Sequence, residues 1–221
     1  MSWKKESGTL IWRTTNGTEW EPFASGIGDD LNNTGAISSA IFNGMLYFGV
    51  GNWTTGAELW RTDGSTWSLV KENGFGNADN NAVSSLVAYR GYLYAGMFNE
   101  TSLQIWRSDN GIDWTQVVNG NIGPIPPEGS NALEVYEGIL YLVAGQETDG
   151  LQVWRTRNGT TWTQIAFKGF GDPQNTQAFW DNATIVFKEK LYVGTHNFST
   201  GTEVWKYYPY GYKVRCPIIQ R

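Results

Sequence analysis

Apolar residues in this chain occur in short runs that are separated by turn residues, and no run is long enough for an extended helix. The run Leu93-Tyr94-Ala95-Gly96, for example, follows closely on a turn at Gly91. Asn-Gly and Asp-Gly pairs mark other turns, and they are strong hairpin signals because both residues tolerate a positive φ. The chain also has 27 glycines and 15% aromatic residues. This pattern predicts an all-β protein of short strands joined by tight turns.

The order of these runs repeats along the chain. A tryptophan in one strand recurs at separations of 48, 46, 48 and 51 residues, and in four of the five repeats a turn leads to a second tryptophan. The first set is Trp12, Trp60, Trp106, Trp154 and Trp205, and the second is Trp20, Trp67, Trp114 and Trp162. Nine of the twelve tryptophans therefore take two repeated positions, and we expect their rings to pack one repeat against the next.

Two further strands precede four of the five tryptophans of the first set, all but Trp12, so that four strands, which we name a, b, c and d, recur in order. Strand b begins with Leu-Tyr, as in Leu46-Tyr47 and Leu140-Tyr141. Strand a is rich in small residues, which suit the innermost position where repeats converge: Ser38, Ser85, Ala132 and Ala183. A repeat of about 47 residues with four strands has the size of a propeller blade. The sequence therefore predicts an all-β fold, a β-propeller of four-stranded antiparallel blades.

The blade count is uneven within a single expected domain of residues 1–221. Complete blades are expected at about 36–70, 82–118 and 131–166, and a fourth at 179–206 takes its last strand from the tail near Tyr212. Residues 10–23 hold only strands c and d. We expect five blades, one of which is partial, closes irregularly or is shared between termini or with another chain. Self-association through the terminal strands is the corresponding expectation.

The turns between strands c and d carry the pattern [Asn/Asp]-Gly-x-x-Trp, preceded by Trp-Arg-[Ser/Thr]. This pattern resembles the Asp-box, or bacterial neuraminidase repeat, of sialidase-like propellers. The turn Asp109 to Trp114 keeps the full acidic spacing, although Arg107 stands where the family has Ser. The resemblance implies a propeller architecture and no catalytic role, since the motif is structural in that family. Size and period are also similar to five-bladed tachylectin-type lectins.

Charge and cysteine content exclude several kinds of partner and site. The formal net charge is -5 and the pI is near 4.9, which argues against a nucleic-acid partner. No apolar run reaches the ~20 residues of a membrane-spanning helix, so membrane insertion is not expected. Cys216 is the only cysteine, so an intrachain disulfide and a cysteine-based zinc site are excluded.

The loops from strand d to the next strand a are rich in Asp, Asn and Gly, and they lie on the propeller face where ligands usually bind. Oxygen-bearing side chains there are candidates for sugar hydroxyls, or for calcium as the one cofactor considered. The same residues also cap turns, which is the more frequent reason for their presence. The candidate ligand-binding residues are Asp29, Asp30, Asn33, Asn77, Asp79, Asn81, Asp172 and Asn175, together with the only histidine, His196.

Asn-x-Ser/Thr sequons recur in the chain, three of them at equivalent places in the loops between strands b and c. Such triplets are acceptors for N-glycosylation in exported proteins. We therefore expect an extracellular or cell-surface protein, although the sequence as given has no export signal. Glycans are expected at Asn52, Asn99, Asn197, Asn16, Asn158 and Asn32, and not at Asn182 on strand a.

The sequence leaves the function open between three readings. The leading one is a non-enzymatic module that binds a glycan or a protein surface through the d–a and b–c loops. The first alternative is a sialidase-like glycosidase or lyase, for which the sequence does not single out a pair of carboxylates. The second is a purely structural subunit that assembles with itself.

Overall fold

The computed structural model describes residues 8–25, 27, 30–120, 122, 128–146, 150–166, 168–176, 184–207 and 214–216. These residues form eighteen β-strands and two single-turn helical segments. No helix in this part of the chain has the length and apolar character needed to cross a membrane. The protein is an all-β propeller of four-stranded antiparallel blades, which confirms the predicted fold class.

The strands group into a half blade and four complete blades. The half blade has β1 (Leu10–Arg13) and β2 (Glu21–Ser25). Blade 1 has β3 (Asn33–Phe42), β4 (Met45–Asn52), β5 (Glu58–Thr62) and β6 (Trp67–Lys71). Blade 2 has β7 (Ala82–Tyr89), β8 (Tyr92–Phe98), β9 (Gln104–Ser108) and β10 (Thr115–Asn119). Blade 3 has β11 (Glu128–Tyr136), β12 (Ile139–Gln146), β13 (Gly150–Thr156) and β14 (Thr163–Ala166). Blade 4 has β15 (Thr184–Phe187), β16 (Lys190–Gly194), β17 (Val204–Lys206) and β18 (Val214–Cys216).

Strands a and b are joined by two-residue turns in which both residues have a positive φ, as in Arg90 (48°) and Gly91 (78°). This geometry matches the right-handed twist of the strands that flank it. Strands c and d of each of the first four repeats are offset by a bulge beside the strand-c tryptophan, for example between Leu59 and Trp60. Since a bulge increases local twist, the repeated bulge gives these blades a similar curvature.

The innermost strands β3, β7, β11 and β15 lie beside one another in that order. Small residues permit this close approach. Ser38 Oγ donates a hydrogen bond to the Val83 carbonyl oxygen of the next blade at 2.7 Å. A Cβ atom placed on Gly49 would run into both of these residues. Strand a is therefore innermost, as the small residues predict, while Ala183 lies outside the described residues.

The strand-b tyrosines of blades 1 and 2 each insert into the blade that follows. The Tyr47 hydroxyl of blade 1 lies against Gly111 in the c–d turn of blade 2, and the Tyr94 hydroxyl of blade 2 lies against Gly159 in blade 3. A Cβ atom at either glycine would overlap the hydroxyl, and both glycines have a positive φ. The repeated glycine of the c–d turn is thus required by packing as well as by backbone conformation.

The repeated tryptophans lie between blades. Phe75, in the d–a turn before blade 2, packs at 5.5 Å from both Trp106 and Trp114. Phe170, in the turn before blade 4, stacks on Trp205 at 4.7 Å. The half blade differs, because its Trp12 and Trp20 are 52% and 59% exposed.

This difference between equivalent tryptophans leads to a stability prediction. Trp106→Ala should lower the free energy of unfolding by roughly 3 to 5 kcal/mol, since it removes a large, half-buried aromatic ring that packs against the core and against Phe75. Trp12→Ala, at the same repeat position but half exposed, should cost about 1 kcal/mol or less. Urea unfolding of the two variants measures both values. Equal losses would show that packing between blades does not set the stability at this position.

Candidate functional site

The d–a and b–c loops lie on one face of the propeller, which we call the loop face. It comprises the d–a segments 30–32, 72–81 and 168–176 and the b–c segments 53–57, 99–103 and 195–203. Each d–a segment contains a turn of the form [Asp/Asn]-x-x-Asn. The backbone N–H of Asn33 donates to the Asp30 carbonyl oxygen at 3.0 Å, and Asn80 to Asn77 and Asn175 to Asp172 do the same at the same distance. The spacing of these residues therefore encodes a turn.

The last asparagine of each turn belongs to a buried cluster of amides and carboxylates, the first of which lies between the half blade and blade 1. The side-chain amide of Asn33 donates to the Ile27 carbonyl oxygen at 3.0 Å and to Glu58 Oε2 at 2.8 Å. The amide of Asn52 donates to Asp30 Oδ2 and to Asn33 Oδ1, both at 3.0 Å. Glu58 Oε2 also accepts from the indole Nε1 of Trp60 at 2.7 Å. A d–a turn, a b–c loop and a strand c are thus tied together.

The same arrangement recurs twice. Between blades 1 and 2, the Asn80 amide donates to the Gly74 carbonyl oxygen and to Gln104 Oε1, and Asn99 donates to Asn80 Oδ1. Between blades 3 and 4, the equivalent members are Asp172, Asn175, Asn197 and Glu203. Each of these amides donates inside its cluster, and five of the six use both N–H groups there. Because buried polar groups must be paired, the clusters stabilise the loop face rather than present free donors to a ligand.

The predicted role in ligand binding is therefore corrected for several residues. Asn33 is 1% exposed and Asn175 is 0% exposed, so neither can contact a bound molecule. Asp30 and Asp172 accept hydrogen bonds from within their own clusters, but they are only half-buried and stay partly accessible to a ligand. Asp29 lies outside the described residues.

The second d–a loop requires a further correction. Asn81 is half-buried and takes part through its backbone, which donates to Phe98 and accepts from Asn52. The residue equivalent to Asn33 is Asn80, which the sequence reasoning missed, and the [Asp/Asn]-x-x-Asn spacing from Asn77 is the signal that identifies it. Asn77 Oδ1 accepts from the Asp79 backbone N–H at 3.1 Å. Asp79 itself is exposed and remains accessible to a ligand.

The loop sequons also have a structural role. Asn52, Asn99 and Asn197 are 0%, 1% and 4% exposed, and the amide nitrogen that a glycan would modify donates hydrogen bonds inside a cluster. A glycan at any of these sites is incompatible with this fold, which corrects that expectation. The remaining sites are more accessible. Asn16 and Asn158 are exposed in c–d turns, Asn32 is half-buried with its amide on Asp30, and Asn182 lies outside the described residues.

In each of these loops, the side chain of the residue that follows the sequon asparagine points away from the buried cluster and towards solvent. Trp53 is 39% exposed and packs at 6.3 Å from Phe98, and Phe198 is 86% exposed. Glu100 takes the equivalent position in blade 2 and is also exposed. Exposed aromatic rings therefore give the loop face contact area that a ligand could use.

His196 lies next to one of these rings. Its imidazole is half-buried and meets the Phe198 ring edge-on at 4.2 Å. Its backbone forms an isolated bridge with Thr176. The buried Nδ1 atom has no hydrogen-bond partner among the described residues. The predicted ligand-binding histidine is therefore on the loop face, beside Phe198.

Metal-binding clusters and shifted pKa values do not identify further functional residues on the described part of the loop face. Among the residues described, no group of three or more His, Cys, Asp or Glu side chains converges on a point that could hold a metal ion, and calcium binding stays a prediction. Burial raises the pKa of Glu134. That residue lies in strand a two residues before the strand ends at Tyr136, and this end of the strand is opposite the loop face.

Comparisons with known proteins give structural likenesses only. No protein-family model matches the sequence, and no curated protein sequence matches it. GH43B of the xyloglucan PUL of Bacteroides ovatus is similar with a TM-score of 0.53 and 12% identity, over 83% of this chain and 40% of that one. An endo-arabinase from Bacteroides thetaiotaomicron has a TM-score of 0.53 and 14% identity, over 81% and 78%. The GH43_1 enzyme from Xanthomonas citri, complexed with xylose, has a TM-score of 0.50 and 13% identity, over 82% and 72%.

These likenesses support the propeller fold and correct the leading functional reading. The non-enzymatic binding module is contradicted as the leading interpretation, because the similar solved structures described above are GH43 enzymes and an endo-arabinase. The glycosidase alternative takes its place as the proposal below. The Asp-box resemblance stays a prediction, since none of the three structures is named for that repeat.

The clusters predict that replacing Asn80 lowers the stability of the protein more than replacing its neighbour Asn81. Asn80→Ala should lower the free energy of unfolding by about 2 kcal/mol, because it removes the acceptor of the buried Asn99 amide and the donor to the Gly74 carbonyl oxygen and to Gln104 Oε1. Asn81→Ala keeps the two backbone hydrogen bonds and should cost less than about 1 kcal/mol. Thermal and urea unfolding of both variants test this order. A larger loss for Asn81→Ala would contradict the cluster assignment.

Proposed function

We propose that this chain is a glycoside hydrolase, or the propeller part of one, and that its substrate binds on the loop face. The observation that carries the proposal is the propeller fold that it shares with GH43B and the endo-arabinase. The names of these structures and of the xylose complex suggest glycans that contain arabinose or xylose as the first substrate class to examine. The chain spans 40% of the length of the GH43B chain.

The loop face supplies groups that suit this chemistry. Glycoside hydrolysis usually requires two carboxyl groups, one to protonate the leaving oxygen and one to act as base or nucleophile. Asp30 and Asp172 are half-buried, and each is held in its d–a turn by hydrogen bonds from a neighbouring loop. Asp79 is exposed on the d–a segment between blades 1 and 2, and Glu100 is exposed in the b–c loop of blade 2. These four residues are the candidate catalytic carboxylates.

The aromatic residues give the same face a means of holding a sugar. Sugar rings have apolar faces, and large aromatic side chains provide contact area with little loss of conformational entropy. Trp53 and Phe198 are exposed at equivalent positions in blades 1 and 4. Since each follows a buried asparagine whose side chain fixes the local turn, their backbone is held before a ligand arrives.

A hydrolysis assay tests the proposal. Purified protein is incubated with fluorogenic arabinosides and xylosides and with arabinan, xylan and xyloglucan, and we expect release of sugar from at least one of them. Replacing each candidate in turn, as Asp30→Asn, Asp79→Asn, Asp172→Asn and Glu100→Gln, should lower kcat/KM by roughly 100-fold or more for the residues that act as acid or base. Asp109→Asn, an exposed acid in a c–d turn, is the matched control and should leave the rate unchanged.

Two outcomes would overturn the proposal. One is the absence of hydrolysis of every substrate by protein whose circular dichroism shows it to be folded. The other is a rate that is insensitive to all four loop-face variants but falls in Asp109→Asn, because the reaction would then take place away from the loop face.

A further inference from the structure

The half blade docks on blade 1 as a complete blade would. Thr9, three residues before Trp12, donates through its hydroxyl to the Asn33 carbonyl oxygen at 3.1 Å. Ala57 and Leu151, three residues before the tryptophans of blades 1 and 3, donate through their backbone N–H groups to Asn80 and Asn175, both at 2.7 Å. The ring of Phe23 in β2 also lies 5.2 Å from Trp67 of blade 1. Strands c and d of the half blade therefore occupy regular blade positions.

Strand β1 nevertheless has one open edge. In blades 1 to 4, strand c pairs with strand b on one side and strand d on the other. Among the described residues, β1 pairs with β2 alone. Its other edge presents backbone N–H and C=O groups that are available to another strand.

A second observation marks the same place on the neighbouring blade. The turn glycines Gly111 and Gly159 each receive the hydroxyl of a strand-b tyrosine from the preceding blade. Gly64 is the turn glycine of blade 1, whose preceding blade is the half blade, and a Cβ atom built there meets nothing within 4 Å. The position that a tyrosine hydroxyl takes in the other blades is open at Gly64.

The tryptophans of the half blade lack the cover that strand b gives elsewhere. In blade 1, Phe48 of strand b pairs with Trp60 and lies 5.5 Å from Trp67. Trp12 and Trp20 hold the corresponding positions in the half blade, and both are more than half exposed. An added strand b would place a side chain beside them.

We propose that the open edge of β1 binds a two-stranded β-hairpin of the a–b type, supplied by a partner polypeptide that carries this repeat. Its strand b would pair with β1, its tyrosine hydroxyl would lie against Gly64, and the residue that directly follows the tyrosine would pair with Trp12, as Phe48 pairs with Trp60. The repeat itself specifies the occupant, because blades 1 to 4 each have such a hairpin at this position. A second copy of this chain is a poor donor, since its described strands comprise five c–d pairs but four a–b hairpins, all of them in use.

A peptide with the sequence of residues 82–98, the a–b hairpin of blade 2, is the probe. Labelled peptide should bind the full chain at a 1:1 ratio, as followed by fluorescence anisotropy. Hydrogen exchange should show new protection of the β1 amides when the peptide is added. A peptide of scrambled sequence is the control for nonspecific adhesion to exposed aromatic rings.

Two glycine variants locate the binding site. Gly64→Ala places a methyl group where the peptide tyrosine hydroxyl would lie, and it should weaken binding at least 10-fold. Gly17→Ala is the matched control, because Gly17 also has a positive φ and open surroundings, and its turn belongs to the half blade itself. It carries a similar backbone strain and should leave the affinity unchanged.

The proposal fails if the peptide does not bind, if the scrambled peptide binds equally well, or if the two glycine variants weaken binding to the same extent. It also fails if sedimentation shows the intact chain to be a dimer whose β1 amides are already protected, since a second copy would then hold the edge. If Gly64→Ala does not fold, protection of the β1 amides in the unaltered chain decides the question.

Discussion

The close approach of neighbouring blades is the constraint on which the rest of this structure depends. Two blades can approach this closely only where one of them has no side chain at the point of contact. The turn glycines opposite Tyr47 and Tyr94 meet this requirement. The aromatic hydroxyl that fills each space then fixes the angle between two blades. Phe75 and Phe170 fill the complementary space on the loop side, against the tryptophans of the following blade. The repeated glycines, tyrosines and tryptophans are parts of this one packing arrangement.

Close packing also buries loop backbone and side chains that would otherwise be hydrated. Buried amides and carboxylates destabilise a fold unless each finds a partner. Asparagine suits this position because it offers two donors and an acceptor on a short side chain. Asn52 shows the full use of that capacity, since it donates to Asp30 and Asn33 and accepts from the backbone of Thr54 and Thr55.

The fold could be predicted from the sequence because packing residues recur with a fixed order and period. The site could be predicted only in part. The [Asp/Asn]-x-x-Asn turn and the Asn-x-Ser/Thr triplet look like ligand and glycan sites, although both are local hydrogen-bonding motifs. In the triplet after Asn99, the Thr101 backbone N–H and hydroxyl both donate to Asn99 Oδ1 at 3.0 Å, which accounts for the hydroxyl residue without any glycan. Sequence alone does not reveal whether an asparagine points inward, because that depends on contacts with the next blade.

The repeated residues are occupied in building the propeller, so functional differences must lie at positions where the repeats differ. The position after the buried loop asparagine is of this kind, with Trp53, Glu100 and Phe198 in three equivalent loops. The asparagine clusters hold the backbone on both sides of it, and its side chain points to solvent, so a change there costs little stability. A propeller built in this way can vary the chemistry of its loop face one residue per blade while the hydrogen bonds beneath remain the same. Under the proposed function, substrate preference is set by these three side chains and the neighbouring carboxylates more than by the repeat that supports them.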